Sequence, residues 1–213
     1  MRKINLVLRH YNKLKPINCS VVSGDINKLF TVRFDDNEIK EADMIKGDPV
    51  LIGMLSNQDD FEINGCSVVA ATPKENSYII CSQNIEWLSS GTERREYDRY
   101  PTSFLADIKL VGTTKRAAAC IKDISYSGMC IFSTEDFEIE DNIDINLYFS
   151  NRVLTFEGTI MRKSKIFGRS EYGIQLVHRD KNAMYAAQNQ VATLIQNEKD
   201  LMYRHLSCVH IKI

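Results

Sequence analysis

Alternation of apolar and polar residues with a period of two is the feature that most constrains the fold of this chain. In KLFTVRF at 28–34, Phe30, Val32 and Phe34 alternate with Leu29, Thr31 and Arg33, as in a half-buried strand. Three further β-branched or aliphatic runs, each bounded by polar turn formers, are DPVLIGML (48–55), CSVVAATP (66–73) and SYIICSQ (77–83). Short strands at such regular spacing predict a small β-barrel in the first ninety residues.

The second half of the chain repeats this pattern. TSFLADIKLVG, beginning at Thr102, places its apolar residues Phe104, Ala106, Ile108 and Leu110 on one face. Several strand-like runs follow up to EYGIQLVH. A meander of about six strands with one buried face is expected to close as a second barrel.

From Asp180 the apolar period changes from two to that of a helix. The apolar positions recur at spacings of three, four and seven, and they are Met184, Ala187, Val191, Leu194, Ile195 and Met202. An amphipathic helix ending near Tyr203 is predicted, with its apolar face packed on a barrel or, alternatively, against another subunit. The expected fold is mainly β, with two small barrels at 1–90 and 102–213, a linker at 91–101, and the helix ending the second domain.

Composition limits the kinds of partner. The 213 residues carry a net charge of only −1, so attraction to nucleic acid or an anionic membrane is not a property of the whole chain, and any anion site must be local. No apolar run approaches the ~20 residues needed to span a bilayer. The N-terminus lacks the features of a secretory signal, and a cytoplasmic protein without membrane insertion is expected.

Cysteine and histidine do not indicate disulfides or a metal site. The six cysteines form no CxxC pair, and most stand beside apolar residues, so they are interpreted as small buried hydrophobes in a reducing compartment. His205 and His210 flank Cys208, but no second cluster of ligands accompanies them, and no metal or cofactor is predicted.

The charged segment TERREYDRYP at 92–101 contains three arginines. Arg95 and Arg99 are four residues apart, a spacing that places both on one side of a helix or of an extended chain. Two guanidiniums that converge suit phosphate oxygens or the N7/O6 edge of guanine. Arg94 lies beside Arg95 in the sequence and is therefore expected to point elsewhere. The alternative is a solvated linker in which neighbouring acids neutralise the arginines.

A second segment, KDISYSGMC at 122–130, offers complementary groups. Asp123 and Ser125 are two apart, so on an extended strand they face one side. An ionised Asp accepts hydrogen bonds from guanine N1 and N2, and Ser125 adds a hydroxyl. Gly128 allows a positive φ or lets a ligand approach the backbone. The alternative is an ordinary turn capped by Asp and Ser.

Together the two segments resemble the PilZ domain, whose RxxxR and DxSxxG motifs match Arg95 and Arg99, then Asp123, Ser125 and Gly128. The resemblance covers about 92–200 and includes RSEYGIQLV, which looks like the late strand before the family's final helix. It implies a receptor for the bacterial second messenger cyclic di-GMP, with the RxxxR arm folding over the ligand. In the family an arginine at the position of Arg94 is associated with two stacked ligand molecules per chain.

The order of domains also resembles the flagellar-brake arrangement, in which a split-barrel-like domain precedes PilZ. That resemblance rests on domain order and strand pattern, without a residue motif. It implies that ligand binding at the linker changes the angle between the domains and controls a protein partner. A flagellar motor component is the leading candidate for that partner, and exopolysaccharide or pilus machinery is the second. The sequence leaves the oligomeric state open.

The alternatives to this function are catalysis, protein binding without a nucleotide, and nucleic-acid binding. The motifs GxSxG, GxxxxGK[ST], HExxH and GxGxxG do not occur, so catalysis is not expected. A degenerate PilZ module that binds a protein and no nucleotide remains the main alternative, although both motifs are complete here. A nucleic-acid-binding barrel would need a basic face with aromatics; RKSKIFGRS at 162–170 is basic, but it is better interpreted as a hairpin turn.

Overall fold

The structure is a computed structural model of the chain. It describes residues 5–13, 15–34, 43–55, 60–72, 76–82, 99–149, 152–166 and 168–210. Two compact units are present, one formed by residues 1–94 with 197–213 and the other by 95–196. The sequence prediction had assigned 197–213 to the second domain, whereas the structure groups these residues with the first unit.

The first unit contains a closed barrel of six antiparallel strands in the order β1-β2-β3-β6-β5-β4. The strands are β1 (Asn5–His10), β2 (Ile17–Gly24), β3 (Leu29–Phe34), β4 (Pro49–Leu55), β5 (Phe61–Thr72) and β6 (Ser77–Ser82). Phe30, Val32 and Phe34 are buried in its core, as the alternation predicted. A barrel closes both edges of the sheet, which leaves no open strand edge.

Strands β1 and β2 were not predicted, and β1 shows why. Leu6, Val7 and Leu8 are consecutive and all fully buried, so no alternation marks the strand. Leu6 and Leu8 belong to the barrel core, while Val7 lies in a separate apolar cluster with Met202 and Leu206 of the C-terminal helix. A strand covered on both faces appears in sequence as a continuous apolar run.

The second unit contains another closed barrel of six antiparallel strands, in the order β10-β11-β12-β9-β8-β7. Its strands are β7 (Tyr100–Leu110), β8 (Arg116–Ile124), β9 (Gly128–Ser133), β10 (Asn142–Phe149), β11 (Arg152–Ile166) and β12 (Arg169–Leu176). Phe104, Ala106 and Ile108 are buried, as predicted. The basic segment 162–170 spans the end of β11 and the start of β12, which are paired as a hairpin.

The single helix of the described residues is α1 (Lys181–His210). Asp180 caps its N-terminus, where the Oδ1 atom accepts a hydrogen bond from the Ala183 amide at 2.8 Å. The predicted end near Tyr203 was wrong, because the helix continues for about two further turns. Val191 and Leu194 join the core cluster of the second barrel. Within the described part of the chain no helix is both long and apolar enough to cross a bilayer.

The prediction that most of the cysteines are buried is confirmed where side chains are described. Four of the six are buried and a fifth is half-buried; they are Cys19, Cys66, Cys120, Cys130 and Cys81. Burial raises the pKa of the Cys66 thiol and raises that of Cys130 to about 12, so both are neutral near pH 7. These groups behave as small apolar side chains and not as reactive thiolates.

Candidate functional site

The pairing of β7 with β8 brings the end of the arginine motif to the aspartate of the second motif. Pro101 lies opposite Asp123, and Tyr100 lies opposite Ile124. Arg99 directly precedes β7, and its Nη1 lies 2.9 Å from the Asp123 Oδ1, forming a salt bridge. The two side chains are 22% and 20% exposed. Both charged groups are therefore ordered by the pair and still reachable from solvent.

Gly128 is needed here because of close packing and not because of its backbone angle. It is not among the residues with positive φ, whose glycines are Gly24, Gly47, Gly112 and Gly168. A Cβ atom built on Gly128 would lie 2.6 Å from the carbonyl oxygen of Ile174 and 3.3 Å from the Arg99 Nη2. The backbone at Gly128 therefore lies too close to Ile174 and Arg99 to accommodate a side chain.

Ser125 closes the turn between β8 and β9. Its backbone amide donates to the Gly128 carbonyl at 2.7 Å. Its hydroxyl donates to the same carbonyl at 3.0 Å and accepts from the Gly128 amide at 3.1 Å. Ser125 is buried, and its place after the last residue of β8 puts the hydroxyl in the turn. In this structure it stabilises the turn that carries Gly128.

His178 is a residue that sequence reasoning missed. Its Nε2 lies 2.7 Å from the backbone carbonyl of Tyr126, where a protonated Nε2 donates the hydrogen bond. Beside it, the Leu176 amide donates to the Ser127 carbonyl at 3.0 Å. The turn of the second motif is thus fixed to the end of β12 by two hydrogen bonds. No sequence signal pairs residues 126 and 178, because the contact depends on the order of strands in the barrel.

A charged cluster lies on the strands beside Asp123. The Lys122 Nζ is 2.9 Å from the Glu171 Oε2, and the Arg162 Nη2 is 3.5 Å from the Glu171 Oε1. Glu171 is buried although it is charged, which requires partners of opposite sign. With Lys122 and Arg162 it forms a group of two positive charges and one negative charge.

Two of the six predicted ligand-binding residues, Arg94 and Arg95, lie outside the described residues, so their role stays a prediction. The structure brings together Arg99, Asp123 and Gly128, and it connects Ser125 to Gly128. Among the described residues there is no cluster of three or more His, Cys, Asp or Glu side chains that could hold a metal ion.

Comparison with known proteins gave a family match and several solved structures. Residues 93–195 match the model of the PilZ domain. No curated protein matched the sequence. Among solved structures, the Bacillus subtilis inhibitor of motility MotI/DgrA is 12% identical with a TM-score of 0.40, over 93% of this chain and 97% of that one.

Two further solved structures are complexes with cyclic di-GMP. Escherichia coli YcgR is 11% identical with a TM-score of 0.43, over 92% of this chain and 86% of that one. K. pneumonia MrkH is 12% identical with a TM-score of 0.44, over 92% of this chain and 89% of that one. The family match includes the RxxxR and DxSxxG motifs at 95–99 and 123–128. Residues 93–195 of this chain therefore belong to the PilZ domain family.

Proposed function

We propose that this protein is a cytoplasmic receptor for cyclic di-GMP. The observation that carries the proposal is the salt bridge between Arg99 and Asp123, partly exposed and packed against the glycine of the second motif. A guanidinium offers a planar fork of donors that suits a phosphate or the N7/O6 edge of guanine. A carboxylate accepts from guanine N1 and N2. The pair thus supplies both kinds of group that a guanine nucleotide requires.

Binding exchanges one set of charge-assisted contacts for another. The Arg99 guanidinium turns from Asp123 to a ligand phosphate or base, and the freed carboxylate accepts from a guanine edge. Neither charge is left without a partner in either state, which avoids the cost of an isolated, partly buried charge. Arg95 supplies the second guanidinium of the motif, and Arg94 is assigned to a second, stacked ligand molecule.

The consequence proposed for the whole chain is a change in the arrangement of its two domains. The RxxxR motif precedes β7, and a ligand bound by its arginines alters how the preceding domain is connected. The changed surface then acts on a protein partner, with motility control as the leading assignment and exopolysaccharide or pilus machinery as the second. The activity is binding without catalysis.

The experiment is a calorimetric titration of the full chain with cyclic di-GMP. We expect binding by the wild type, with Arg99→Ala and Asp123→Ala each weakening it by at least about tenfold, since charge-assisted contacts contribute ~1.5–3 kcal/mol. Absence of heat at tens of micromolar ligand would contradict the receptor function and favour a protein-binding module. A ratio of one ligand per chain would contradict only the stacked pair.

The chain offers a matched control. Lys109 and Asp144 form a salt bridge of the same length, 2.9 Å, with side chains 26% and 30% exposed, on β7 and β10 of the same barrel. Lys109→Ala and Asp144→Ala change charge as the test variants do, away from the two motifs. They should leave the affinity unchanged, and equal weakening by both sets of variants would show that only net charge matters.

A further inference from the structure

A row of residues runs across the outside of the second barrel from Asp123. Asp123 is opposite Cys130, Cys130 is opposite Gly173, and Gly173 is opposite Arg162. Neighbours of these residues, such as Ile131, Tyr172 and Ile174, belong to the barrel core, so the row itself faces outward. Strands lie ~4.8 Å apart, and the three steps from Asp123 to Arg162 cover roughly 14 Å.

The side chain of Arg162 extends back along this row toward Asp123. A Cβ on Gly173 would lie 2.5 Å from the Arg162 Cγ and Nε and 2.9 Å from its Cδ, so the arginine stem lies directly on the glycine. The guanidinium reaches further, with Nη2 4.0 Å from the Cys130 Sγ. The cationic end is therefore placed over the strand next to the one that carries Asp123.

Arg162 is held in place and remains available to a ligand. Among the described residues it contacts one carboxylate, that of Glu171, at 3.5 Å, while Glu171 makes a closer contact of 2.9 Å to Lys122. The arginine side chain is 55% exposed although its stem packs on Gly173. Because one buried carboxylate serves two cations, the group carries a net positive charge beside the neutral pair Arg99–Asp123.

We propose that Arg162 is a further ligand-binding residue, a platform on which one guanine of the ligand stacks. This inference rests on the proposed function. A guanidinium is planar, weakly hydrated and stacks on aromatic faces, which a lysine ammonium cannot do. The ligand has two guanines, and the row offers Asp123 for the edge of one base and Arg162 for the face of a base further along the sheet.

The test is calorimetric titration of three variants with cyclic di-GMP. Arg162→Met keeps the apolar stem on Gly173 and removes the guanidinium; it should weaken binding by about 5- to 30-fold, the range for a partly to fully desolvated cation–π contact. Arg162→Lys keeps the charge, and its affinity should exceed that of Arg162→Met by no more than about threefold. Arg116→Met is the control, because Arg116 is similarly exposed at 49% and paired with one carboxylate, that of Asp107, at the far end of β8.

A double-mutant cycle tests whether the position of the Arg162 guanidinium on Gly173 matters for binding. Gly173→Ala places a methyl where the arginine stem lies, and it should weaken binding in the wild type by displacing the guanidinium. In the Arg162→Met background the same change should have no further effect on affinity. Thermal unfolding of each variant establishes that the barrel is intact.

The outcomes are distinguishable. If the wild type binds and Arg162→Met binds equally well, the platform is refuted and the receptor function stands. If Arg162→Lys restores full affinity, charge alone acts and the stacking role is refuted. Equal weakening by Arg116→Met and Arg162→Met refutes it as well. A wild type that gives no heat overturns the receptor function and this inference together.

Discussion

The Nε of Arg9 lies 2.8 Å from the Oε1 of Glu198, and both side chains are almost completely buried. The pair joins β1 to the C-terminal part of α1 within the first unit. The apolar cluster of Val7, Met202 and Leu206 contains residues of the same two elements. A buried ion pair adds little net stability compared with an apolar pair, but losing one partner is costly because the other charge stays buried alone.

Glu198→Ala should therefore lower the free energy of unfolding by about 3–5 kcal/mol, since it leaves the Arg9 guanidinium buried without its carboxylate. Chemical denaturation of the full chain measures the change. Glu157→Ala is the matched control, because Glu157 pairs with Arg179 on the exposed surface at 3.4 Å. Exposed pairs contribute ~0–1 kcal/mol, and equal losses in the two variants would contradict the role assigned to Arg9–Glu198.

The pH dependence of stability provides a second prediction for this carboxyl. Burial raises the pKa of Glu198 above its usual value, against the opposing effect of Arg9. The native state therefore binds this proton more tightly than the unfolded state does. The stabilisation from protonation is fully present below the usual pKa and is lost as the pH rises through the raised pKa.

As the pH rises from the usual pKa of a glutamate through the raised pKa of Glu198, the free energy of unfolding of the wild type should therefore decrease. The Glu198→Gln variant should lack this decrease. The glutamine keeps the shape of the side chain and removes the titration. Parallel curves for the two proteins would mean that the pKa of Glu198 is the same in the folded and unfolded states.

Gly128→Ala should both destabilise the second barrel and weaken ligand binding. The added Cβ would lie 2.6 Å from the Ile174 carbonyl oxygen, a backbone atom that cannot move without disturbing β12, and 3.3 Å from the Arg99 Nη2. Overpacking of this kind costs ~1–3 kcal/mol. Thermal unfolding and calorimetric titration measure the two effects.

Gly112→Asn is the contrasting variant. A Cβ at Gly112 has no atom within 4 Å, and asparagine tolerates the positive φ of 84° found there. We expect nearly unchanged stability and affinity. If Gly128→Ala behaved in the same way, the close approach of Gly128 to Ile174 and Arg99 would not matter for either property.

Much of the fold and part of the site follow from sequence. The alternation of Phe30, Val32 and Phe34 reported a half-buried strand correctly, whereas the buried run at Leu6–Leu8 did not, because α1 covers its outer side. Periodicity describes one element at a time and cannot show which element covers another.

The site shows the same limit. The two motifs predicted that Arg99 and Asp123 act together, and the structure places them in contact. The packing of Arg162 on Gly173 was not predictable, because it depends on a register that shifts at a β-bulge between Ile160 and Arg162. A one-residue shift sends a side chain to the other face of the sheet.

Ser125→Ala should destabilise the protein by about 1–2 kcal/mol, because it removes the hydroxyl bonded to both backbone groups of Gly128 at a buried position. Ser127→Ala is the control: its Oγ lies 3.2 Å from the Ser125 Oγ, and its side chain is only partly buried. We expect less than ~0.5 kcal/mol for that change. A smaller loss for Ser125→Ala than for Ser127→Ala would contradict the turn-closing role.

The central claim is that Asp123 recognises guanine beside Arg99, and base selectivity tests it most directly. The measurement is the ratio of affinities of the full chain for cyclic di-GMP and for the same cyclic dinucleotide with adenine. Adenine lacks the N1 and N2 hydrogen-bond donors of guanine, from which the Asp123 carboxylate would accept. The wild type should therefore bind the guanine ligand about 10- to 100-fold more tightly. Asp123→Asn should lose most of that preference. Equal affinities of the wild type for the two ligands, or binding of neither, would contradict the account.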